Sequence, residues 1–363
     1  MTNHDIISLR LQQQLIKSSS LASPHEVVRY MVAVQAQDYR SSLLGIGLRM
    51  SSSAACDEDL IEQAFVDRKI VRTWPMRGTL HWVAAEDVRW MLQLLAPKVI
   101  KGSQGRYRQL ELGESVLNKG RRILEKHLQG EKQLTRAEIY QLLEEEGIAT
   151  HEQRGIHIIG HWAMKGLLCQ VPKKNKQDNF ALLEEWLPSA PALEGEGALA
   201  TLAERYIKSR GPATEYDFAT WAGLKISDAR RGLEMVDSRL KRVTVEGNSY
   251  WLAEQVVAST GTPNAEKAWL LPAFDEILCG YKDKSALLDA EEIKSTILKN
   301  GVFKPIVLLG NRVVGTWQRT IQANRVLIAF SFFRHLSHRE RQLIADKAVA
   351  MEGFFNKPIV VAP

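Results

Sequence analysis

The chain has few cysteines and no long apolar run. Its three cysteines, Cys56, Cys169 and Cys279, are odd in number and far apart, so they form neither a disulfide framework nor a CxxC metal pair. No apolar stretch reaches the roughly 20 residues that a membrane-spanning helix needs, and residues 1–5 lack the basic and apolar segments of a signal peptide. The sequence therefore predicts a cytoplasmic protein without a membrane segment.

Glycine patterns for nucleotide binding and sets of metal ligands are also missing. Neither a P-loop nor a Rossmann glycine pattern is present, so no nucleotide cofactor is expected. His157 and His161 are four residues apart and would share a helix face. No acidic or cysteine ligand stands at a spacing that would complete a zinc site with them. We therefore predict no metal and no cofactor.

The composition is that of an ordinary folded protein. The chain has 363 residues, of which 45% are hydrophobic and 25% charged, and this balance argues against disorder. A chain of this length exceeds what one hydrophobic core usually holds, so we expect two to four domains.

The net charge of +6 is concentrated in one stretch. Residues 98–126 hold eight lysines and arginines against three glutamates. A solvated helix face would explain such a run equally well if it stood alone. Beside helix-turn-helix modules, contact with a polyanion becomes the better interpretation. The arginines predicted to contact DNA in this stretch are Arg106, Arg108, Arg121 and Arg122.

Three segments repeat the order helix, helix, β-hairpin. They run over about 23–83, from Thr135 to about 183, and from Thr214 to about 252. Capping-box spacing predicts that helices begin after Ser23 and Thr135, and Gly-Asn between two β-rich runs is a hairpin signal in the third segment. The parsimonious interpretation is three winged-helix modules, although such modules also serve protein contacts or plain packing.

The remaining chain changes in character. Residues 188–192 with Gly195 and Gly197 resemble a linker, and apolar β-rich runs follow from Ala268 to a last short strand at 358–361. We predict an α+β fold of tandem winged-helix (helix-turn-helix plus β-hairpin) modules followed by a C-terminal antiparallel β half-barrel domain. The predicted domains are 1–130, 131–187, 199–258 and 265–363.

The most informative motif is Gln35-Ala36-Gln37-Asp38. An amphipathic helix that begins after Ser23 is predicted to end at Gln35. In an extended exit from that helix, the side chains of Gln35 and Gln37 would point the same way. On the residues alone, two glutamines at a helix end are usually capping or solvated groups.

A predicted hairpin at 71–83 carries charge and aromatic surface. Arg72, Trp74, Arg77 and His81 lie on it, and such side chains can hold phosphates or stack on a displaced base. A buried tryptophan with solvent-facing arginines is the alternative for each residue taken singly.

Together these motifs resemble the winged-helix DNA glycosylases of the AlkZ/YcaQ type. The resemblance begins with Q-x-Q and with R-G-T-L-H some forty residues later, and it spans about Ser23 to Trp317. Its later parts are Arg205-Tyr206, Gly211-Pro212-Ala213-Thr214, Asp217-Phe218, Trp221, Gly223-Leu224, Leu270-Leu271-Pro272-Ala273-Phe274-Asp275 and Arg312-Val313-Val314-Gly315-Thr316-Trp317.

The resemblance implies that Gln35 and Gln37 are the catalytic residues. Glutamine is not usefully basic, but its carbonyl can orient a water and present partial negative charge to a developing cation. A purine alkylated at N7 or N3 already carries positive charge and leaves without protonation, so an amide pair would suffice. Asp38 is interpreted as a helix-terminus or salt-bridge residue, with a catalytic role as the alternative, and Arg77 and His81 as catalytic or site-shaping residues.

The leading hypothesis is thus a monofunctional DNA glycosylase that removes alkylated purines, including bulky adducts or interstrand crosslinks. It would act as a monomer on double-stranded DNA. The alternatives are a non-catalytic winged-helix regulator and a protein-interaction scaffold. Outside the catalytic motif, the predicted DNA-contacting residues are Arg72, Trp74, Arg106, Arg108, Arg121, Arg122, Lys173, Lys174, Lys176, Arg230 and Arg231.

Overall fold

The computed structural model describes residues 2–51, 56–187, 193–254 and 267–362. The helices are α1 (Asn3–Gln13), α2 (Pro24–Met31), α3 (Tyr39–Gly47), α4 (Glu58–Val66), α5 (Val88–Gly102), α6 (Gln104–Gln109), α7 (Glu114–Leu128), α8 (Arg136–Glu145), α9 (Arg154–Met164), α10 (Leu183–Trp186), α11 (Gly195–Arg210), α12 (Glu215–Ala222), α13 (Ile226–Glu234), α14 (Glu276–Cys279), α15 (Ala290–Thr296), α16 (His338–Val349) and α17 (Glu352–Phe355). Short 3-10 turns occupy Ala85–Asp87 and Asp237–Arg239.

The strands are β1 (Val34–Gln35), β2 (Ile70–Met76), β3 (Thr79–Ala84), β4 (Leu134–Thr135), β5 (Leu168–Lys174), β6 (Gln177–Leu182), β7 (Leu240–Val245), β8 (Asn248–Ala253), β9 (Ala268–Leu271), β10 (Ile306–Leu309), β11 (Arg312–Ile321), β12 (Val326–Phe332) and β13 (Ile359–Val361). Each of the three predicted hairpins is therefore present, as β2–β3, β5–β6 and β7–β8.

The predicted helix starts are confirmed where they rest on local capping chemistry. The hydroxyls of Ser23 and Thr135 each accept a bond from the backbone N–H three residues on. The carboxylates of Glu26 and Glu138 in turn accept a bond from the backbone N–H of the cap residue, which completes two capping boxes. These bonds join residues within one turn, which is why the sequence alone predicts them.

The chain groups into two compact units, which we call unit 1 and unit 2. Unit 1 comprises Met1–Ile61, Leu202–Trp221 and Lys225–Pro363, and unit 2 comprises Glu62–Thr201 and Ala222–Leu224. These bounds differ from those of the four domains expected from the sequence. That the three helix–helix–hairpin segments are separate winged-helix modules remains a prediction.

Unit 2 is built on a sheet in which two of the predicted hairpins are neighbours. Its strands lie in the order β3-β2-β5-β6-β4, and β2 and β5 meet antiparallel where Arg72 faces Gln170. Trp82 is fully buried on this sheet and packs edge-on against Phe65, with 4.9 Å between the ring centroids. Two hairpins that look independent in the sequence thus share one hydrophobic layer.

Unit 1 carries the C-terminal sheet, which curls into a half-barrel. Its order is β13-β12-β11-β10-β9, with antiparallel pairing throughout except between β12 and β13. There Val326 faces Ile359 in a parallel pair. The predicted antiparallel half-barrel is therefore confirmed except at this edge, where α16 and α17 connect β12 to β13 as a crossover and not as a hairpin.

The predicted linker is shorter than expected. Residues 188–192 lie outside the described residues, but Gly195 and Gly197 belong to α11. Leu199, Leu202 and Ala203 of the same helix are buried. Their packing stabilises the helix and offsets the low helix propensity of its glycines.

Candidate active site and predicted DNA-contacting residues

The helix that precedes the glutamine motif ends earlier than predicted. α2 stops at Met31 and is followed by Val32 at φ 66°, ψ −54°. The N–H of Ala33 donates to the carbonyl oxygen of Met31 at 2.7 Å, which closes a γ-turn of positive φ. Such a backbone costs about 1–3 kcal/mol for a β-branched residue and persists only where surrounding contacts impose it. The turn redirects the chain immediately before Gln35.

Gln35 lies in β1 and is buried, with 6% of its surface exposed. Its backbone N–H donates to Glu276 Oε1 at 2.9 Å. Its side-chain Oε1 accepts a bond from the backbone N–H of Gln37 at 2.6 Å. Gln35 therefore holds the main chain of Gln37 through its own amide group.

Gln37 and Asp38 are exposed, in contrast to Gln35. Asp38 is the N-cap of α3, and its Oδ1 accepts a bond from the backbone N–H of Ser41 at 2.9 Å. The sequence-based interpretation of Asp38 as a helix-terminus residue is thus confirmed. The exposed amide at this end of the motif is that of Gln37.

Arg319 on β11 belongs to the electrostatic surroundings of Asp38. Burial lowers the pKa of the Arg319 guanidinium, and the negative charges of Asp38 and Glu58 oppose that shift. Asp38 thus combines a capping role with an attraction to a partly buried cation.

Arg210 and Glu276 form a buried ion pair beside the motif, and the sequence analysis assigned no role to either. The Arg210 Nη2 to Glu276 Oε2 distance is 2.7 Å, and the side chains are 0% and 1% exposed. Arg210 donates from Nη1 to the carbonyl of Met31 at 2.8 Å and from Nη2 to that of Ala33 at 3.0 Å. The sequence signal was position alone, since Arg210 precedes Gly211 and Glu276 follows Asp275 in two of the motif segments.

Arg77 and His81 lie together on the first hairpin of unit 2. Arg77 and Gly78 form its two-residue turn with φ of 57° and 70°, as a type I′ turn requires. Arg77 Nη2 lies 3.0 Å from His81 Nε2, and His81 Nδ1 lies 2.9 Å from the Thr79 carbonyl oxygen. Because a guanidinium only donates and a carbonyl only accepts, the imidazole carries its proton on Nδ1. His81 is fully buried and orients Arg77.

Arg72 and Trp74 are buried on β2, which argues against their predicted contact with DNA. Arg72 is 5% exposed and donates to Gln170 Oε1 at 2.7 Å. It also lies 3.4 Å from Asp178 Oδ1. Trp74 is 8% exposed and stacks on Phe180, with 6.4 Å between ring centroids. Both side chains join the neighbouring strands β2, β5 and β6, a pairing that no local sequence pattern reveals.

The other predicted DNA-contacting side chains are exposed. In unit 2 these are Arg106, Arg108, Arg121 and Arg122 on α6 and α7, and Lys173, Lys174 and Lys176 at the tip of the β5–β6 hairpin. In unit 1 they are Arg230 and Arg231 on α13. Several of them have acidic partners, including Glu125 for Arg121 at 2.8 Å and Glu215 for Arg230 at 2.6 Å. Ion pairs as exposed as these contribute little free energy, so they restrain the arginine side chains only weakly.

A groove of about 870 Å³ in unit 2 includes Arg108, Arg121 and Lys165 in its lining. His161 also lines it, and its Nδ1 lies 3.3 Å from the Tyr107 hydroxyl oxygen. Burial, with a smaller contribution from Lys165, lowers the pKa of His161 to about 4. At neutral pH the ring is therefore uncharged.

Neither metal-binding clusters nor membrane-spanning helices occur in the part of the chain that the structure describes. Across residues 2–51, 56–187, 193–254 and 267–362, no three His, Cys, Asp or Glu side chains gather as ligands for an ion. Within the same ranges, every helix is too short or too polar to cross a bilayer.

Comparisons with known proteins agree with the arrangement. A family model described as "DNA glycosylase AlkZ-like" matches residues 28–354. An interstrand DNA cross-link repair glycosylase from Streptomyces sahachiroi is 27% identical over 333 residues, which cover 86% of each chain. The solved structure of Streptomyces sahachiroi DNA glycosylase AlkZ is similar in fold, with a TM-score of 0.80, 22% identity and 100% of both chains covered. The match over nearly the whole length confirms the resemblance drawn from the motifs, and the chain belongs to the AlkZ-like family of DNA glycosylases.

Proposed function

We propose that this chain is a monofunctional glycosylase that hydrolyses the N-glycosidic bond of purines alkylated at N7 or N3. The observation that carries the proposal is the exposed amide of Gln37 on a backbone that buried residues hold in place. A fixed dipole aimed at developing charge is a major source of catalysis, because it needs no reorganisation during the reaction.

The amides of Gln35 and Gln37 would act on the attacking water and on the sugar. Cleavage passes through an oxocarbenium-like sugar, and the carbonyl of Gln37 can both orient the water and face that positive charge. The Gln35 carbonyl uses one lone pair on the Gln37 N–H, and its second lone pair is available to the same water. Since neither amide is an acid, the leaving purine must already be cationic.

The motif favours water over an enzyme amine as the nucleophile. Glycosylases that also cut the strand need an amine that forms a Schiff base with the sugar. Residues 31–47 contain no lysine. Hydrolysis that stops at an abasic site is therefore the expected chemistry.

Duplex DNA is the proposed partner of the exposed cations. The arginines of α6 and α7 and the lysines of the β5–β6 hairpin are suited to phosphate contacts, which position a protein on DNA without reading sequence. Arg77, which His81 orients, projects from a second hairpin of the same unit. Cys56, Cys169 and Cys279, all within the described residues, form no disulfide, which suits a reducing cytoplasm, and we propose a monomer as the active form.

Interstrand crosslinks and other bulky adducts are proposed as substrates beside simple methylated bases. The Streptomyces sahachiroi relative is named for cross-link repair, and a crosslink through purine N7 leaves the same cationic base. The exposure of Gln37 supports this extension, because an exposed amide tolerates a large adduct better than an enclosed one would.

The test is base release from duplexes that contain one N7-methylguanine or one N7–N7 interstrand crosslink. We expect single-turnover release from both, with strand breaks appearing only after alkali. Strand cleavage without alkali, together with borohydride trapping of the protein on DNA, would contradict the monofunctional mechanism. Binding without release would favour the non-catalytic regulator.

A further inference from the structure

The ion pair between Arg210 and Glu276 bonds to the backbone on both sides of the γ-turn. Arg210 donates to the carbonyls of Met31 and Ala33, and Glu276 accepts from the N–H of Gln35. Every second residue from 31 to 35 is therefore bonded to one member of the pair. Val32, the residue at φ 66°, lies between two of these contacts.

Both carboxylate oxygens of Glu276 accept hydrogen bonds. Its Oε2 accepts from Arg210 Nη2 at 2.7 Å and from the indole Nε1 of Trp221 at 3.1 Å. Its Oε1 accepts from Gln35 N–H at 2.9 Å. Burial of two charges is unfavourable unless such further bonds satisfy them, so the bond from Gln35 is one of those that offset the burial of the pair.

Trp221 also covers the guanidinium of Arg210. The Cζ atom of Arg210 lies 4.4 Å from the centroid of the Trp221 ring, a distance suited to a cation–π contact. The indole thus fixes both members of the pair at once.

We infer that Arg210 and Glu276 are positioning residues of the glycosylase reaction, acting on Gln37 through Gln35. The inference rests on the proposed function, in which Gln37 orients the water. Two hydrogen bonds connect the pair to the exposed amide. Glu276 holds the Gln35 backbone at 2.9 Å, and the Gln35 carbonyl holds the Gln37 backbone at 2.6 Å. The side chains of Arg210 and Glu276 are 0% and 1% exposed and bond to protein groups, so they would act on the water only through the glutamines.

Glu276→Gln tests this connection with a minimal change in shape. The new amide has one oxygen and one NH₂ group, so it cannot accept from Arg210, Trp221 and Gln35 together. Arg210 is charged and is the stronger donor, so the oxygen should face Arg210 and the NH₂ group should face the N–H of Gln35. The Gln35 backbone then moves away, and Gln37 moves with it.

We expect Glu276→Gln to lower the single-turnover rate of N7-methylguanine release by about 10- to 100-fold, the scale of a misplacement of about 1 Å. Affinity for the same duplex should stay within about twofold, because the exposed cations are unchanged.

In a Gln37→Ala background, Glu276→Gln should lower the rate by less than about threefold, because the group that it positions is already gone. Trp221→Phe, which removes one donor to Glu276, should give a smaller loss than Glu276→Gln with the same dependence on Gln37.

Asp217→Asn is the matched control. Asp217 is also a buried carboxylate, 3.3 Å from Arg10 and bonded to the N–H groups of Thr214 and Lys282. These three partners lie outside residues 31–38, so the substitution should destabilise the fold but leave the rate per folded molecule unchanged.

Rates are compared at equal folded fraction, measured by circular dichroism for every variant. Equal rate losses from Glu276→Gln with and without Gln37, or an equal loss from Asp217→Asn, would overturn the positioning role and leave the proposed function standing. A Gln37→Ala variant as fast as the wild type would overturn the proposed function, and this inference with it.

Discussion

Three buried arginines of unit 1 and the arginines on α6 and α7 of unit 2 differ in what surrounds them. In unit 1, Arg10, Arg49 and Arg210 are buried and each pairs with a carboxylate. In unit 2, the arginines of α6 and α7 are exposed. A buried guanidinium is useful for its fixed geometry, whereas an exposed one is useful for its attraction to a polyanion. The same residue type therefore lies in the interior near the candidate active site in one unit and forms the proposed DNA-contacting surface in the other.

The largest effect should follow from breaking a buried pair of unit 1. Arg49 is 1% exposed and bonds both oxygens of Asp275 at 2.9 Å. Arg49→Met should lower the free energy of unfolding by about 3–5 kcal/mol, because it leaves a buried carboxylate without its partner. Urea denaturation measures the loss. Arg312→Met, which breaks an exposed pair with Asp289, should cost less than about 1 kcal/mol, and equal losses would remove the contrast between buried and exposed pairs.

The next largest effect should follow from removing the side-chain amide of Gln37, whose backbone is linked through Gln35 to the buried ion pair of unit 1. Gln37→Ala should reduce single-turnover base release about a hundredfold, or about 3 kcal/mol of transition-state stabilisation, with duplex affinity nearly unchanged. Gln35→Ala should act similarly, and the double variant should lose less than the product because both act on one water.

Asp38→Asn is the control for the motif, since an asparagine can still cap α3. A mild effect is expected. A strong defect from Asp38→Asn with a near-normal Gln37→Ala would make a carboxylate the base in place of the amides.

The exposed cations of unit 2 should affect binding and leave chemistry intact. Reversal of Arg106, Arg108, Arg121 and Arg122 to glutamate should weaken duplex binding by about 10- to 100-fold at moderate salt. The slope of log affinity against log salt should fall by about one unit for each phosphate that the variant no longer neutralises. Fluorescence anisotropy over a salt series measures both quantities. An unchanged slope would remove this surface from the DNA interface.

The smallest effect concerns the uncharged histidine in the groove that Arg108 and Arg121 also line. Because the pKa of His161 is about 4 in the fold and about 6.5 in an unfolded chain, the unfolded state binds a proton first as pH falls. Stability from this group is complete above pH 6.5 and is lost between about pH 6.5 and 4. We expect a loss of about 1–2 kcal/mol, less than the full shift implies, since solvent screens part of the ring. Urea midpoints at pH 7 and pH 4.5 measure it, and His161→Gln should show a smaller difference between the two.

What the sequence predicted well is local. The caps at Ser23 and Thr135 and the three hairpins depend on residues within one helical turn or one hairpin of each other. The family was also predictable, because its motifs are short and ordered along the chain.

What the sequence did not predict depends on distant partners. α2 ends at Met31 and not at Gln35 because Arg210 and Glu276 hold the turn that follows. The burial of Arg72 and Trp74 comes from pairing with a second hairpin about 100 residues later. The burial of Gln35 likewise depends on where Glu276 lies in the folded chain.

The γ-turn at Val32 has a consequence for biosynthesis. Arg210 bonds the turn from 179 residues further along the chain, and Glu276 bonds the neighbouring Gln35 from 241 residues further along. Such long-range contacts form late because a large loop must close first. A nascent chain that has exposed only its first two hundred residues already contains both glutamines but lacks the ion pair that aligns them. Base-excising activity should therefore reach its full rate only after residue 276 has left the ribosome.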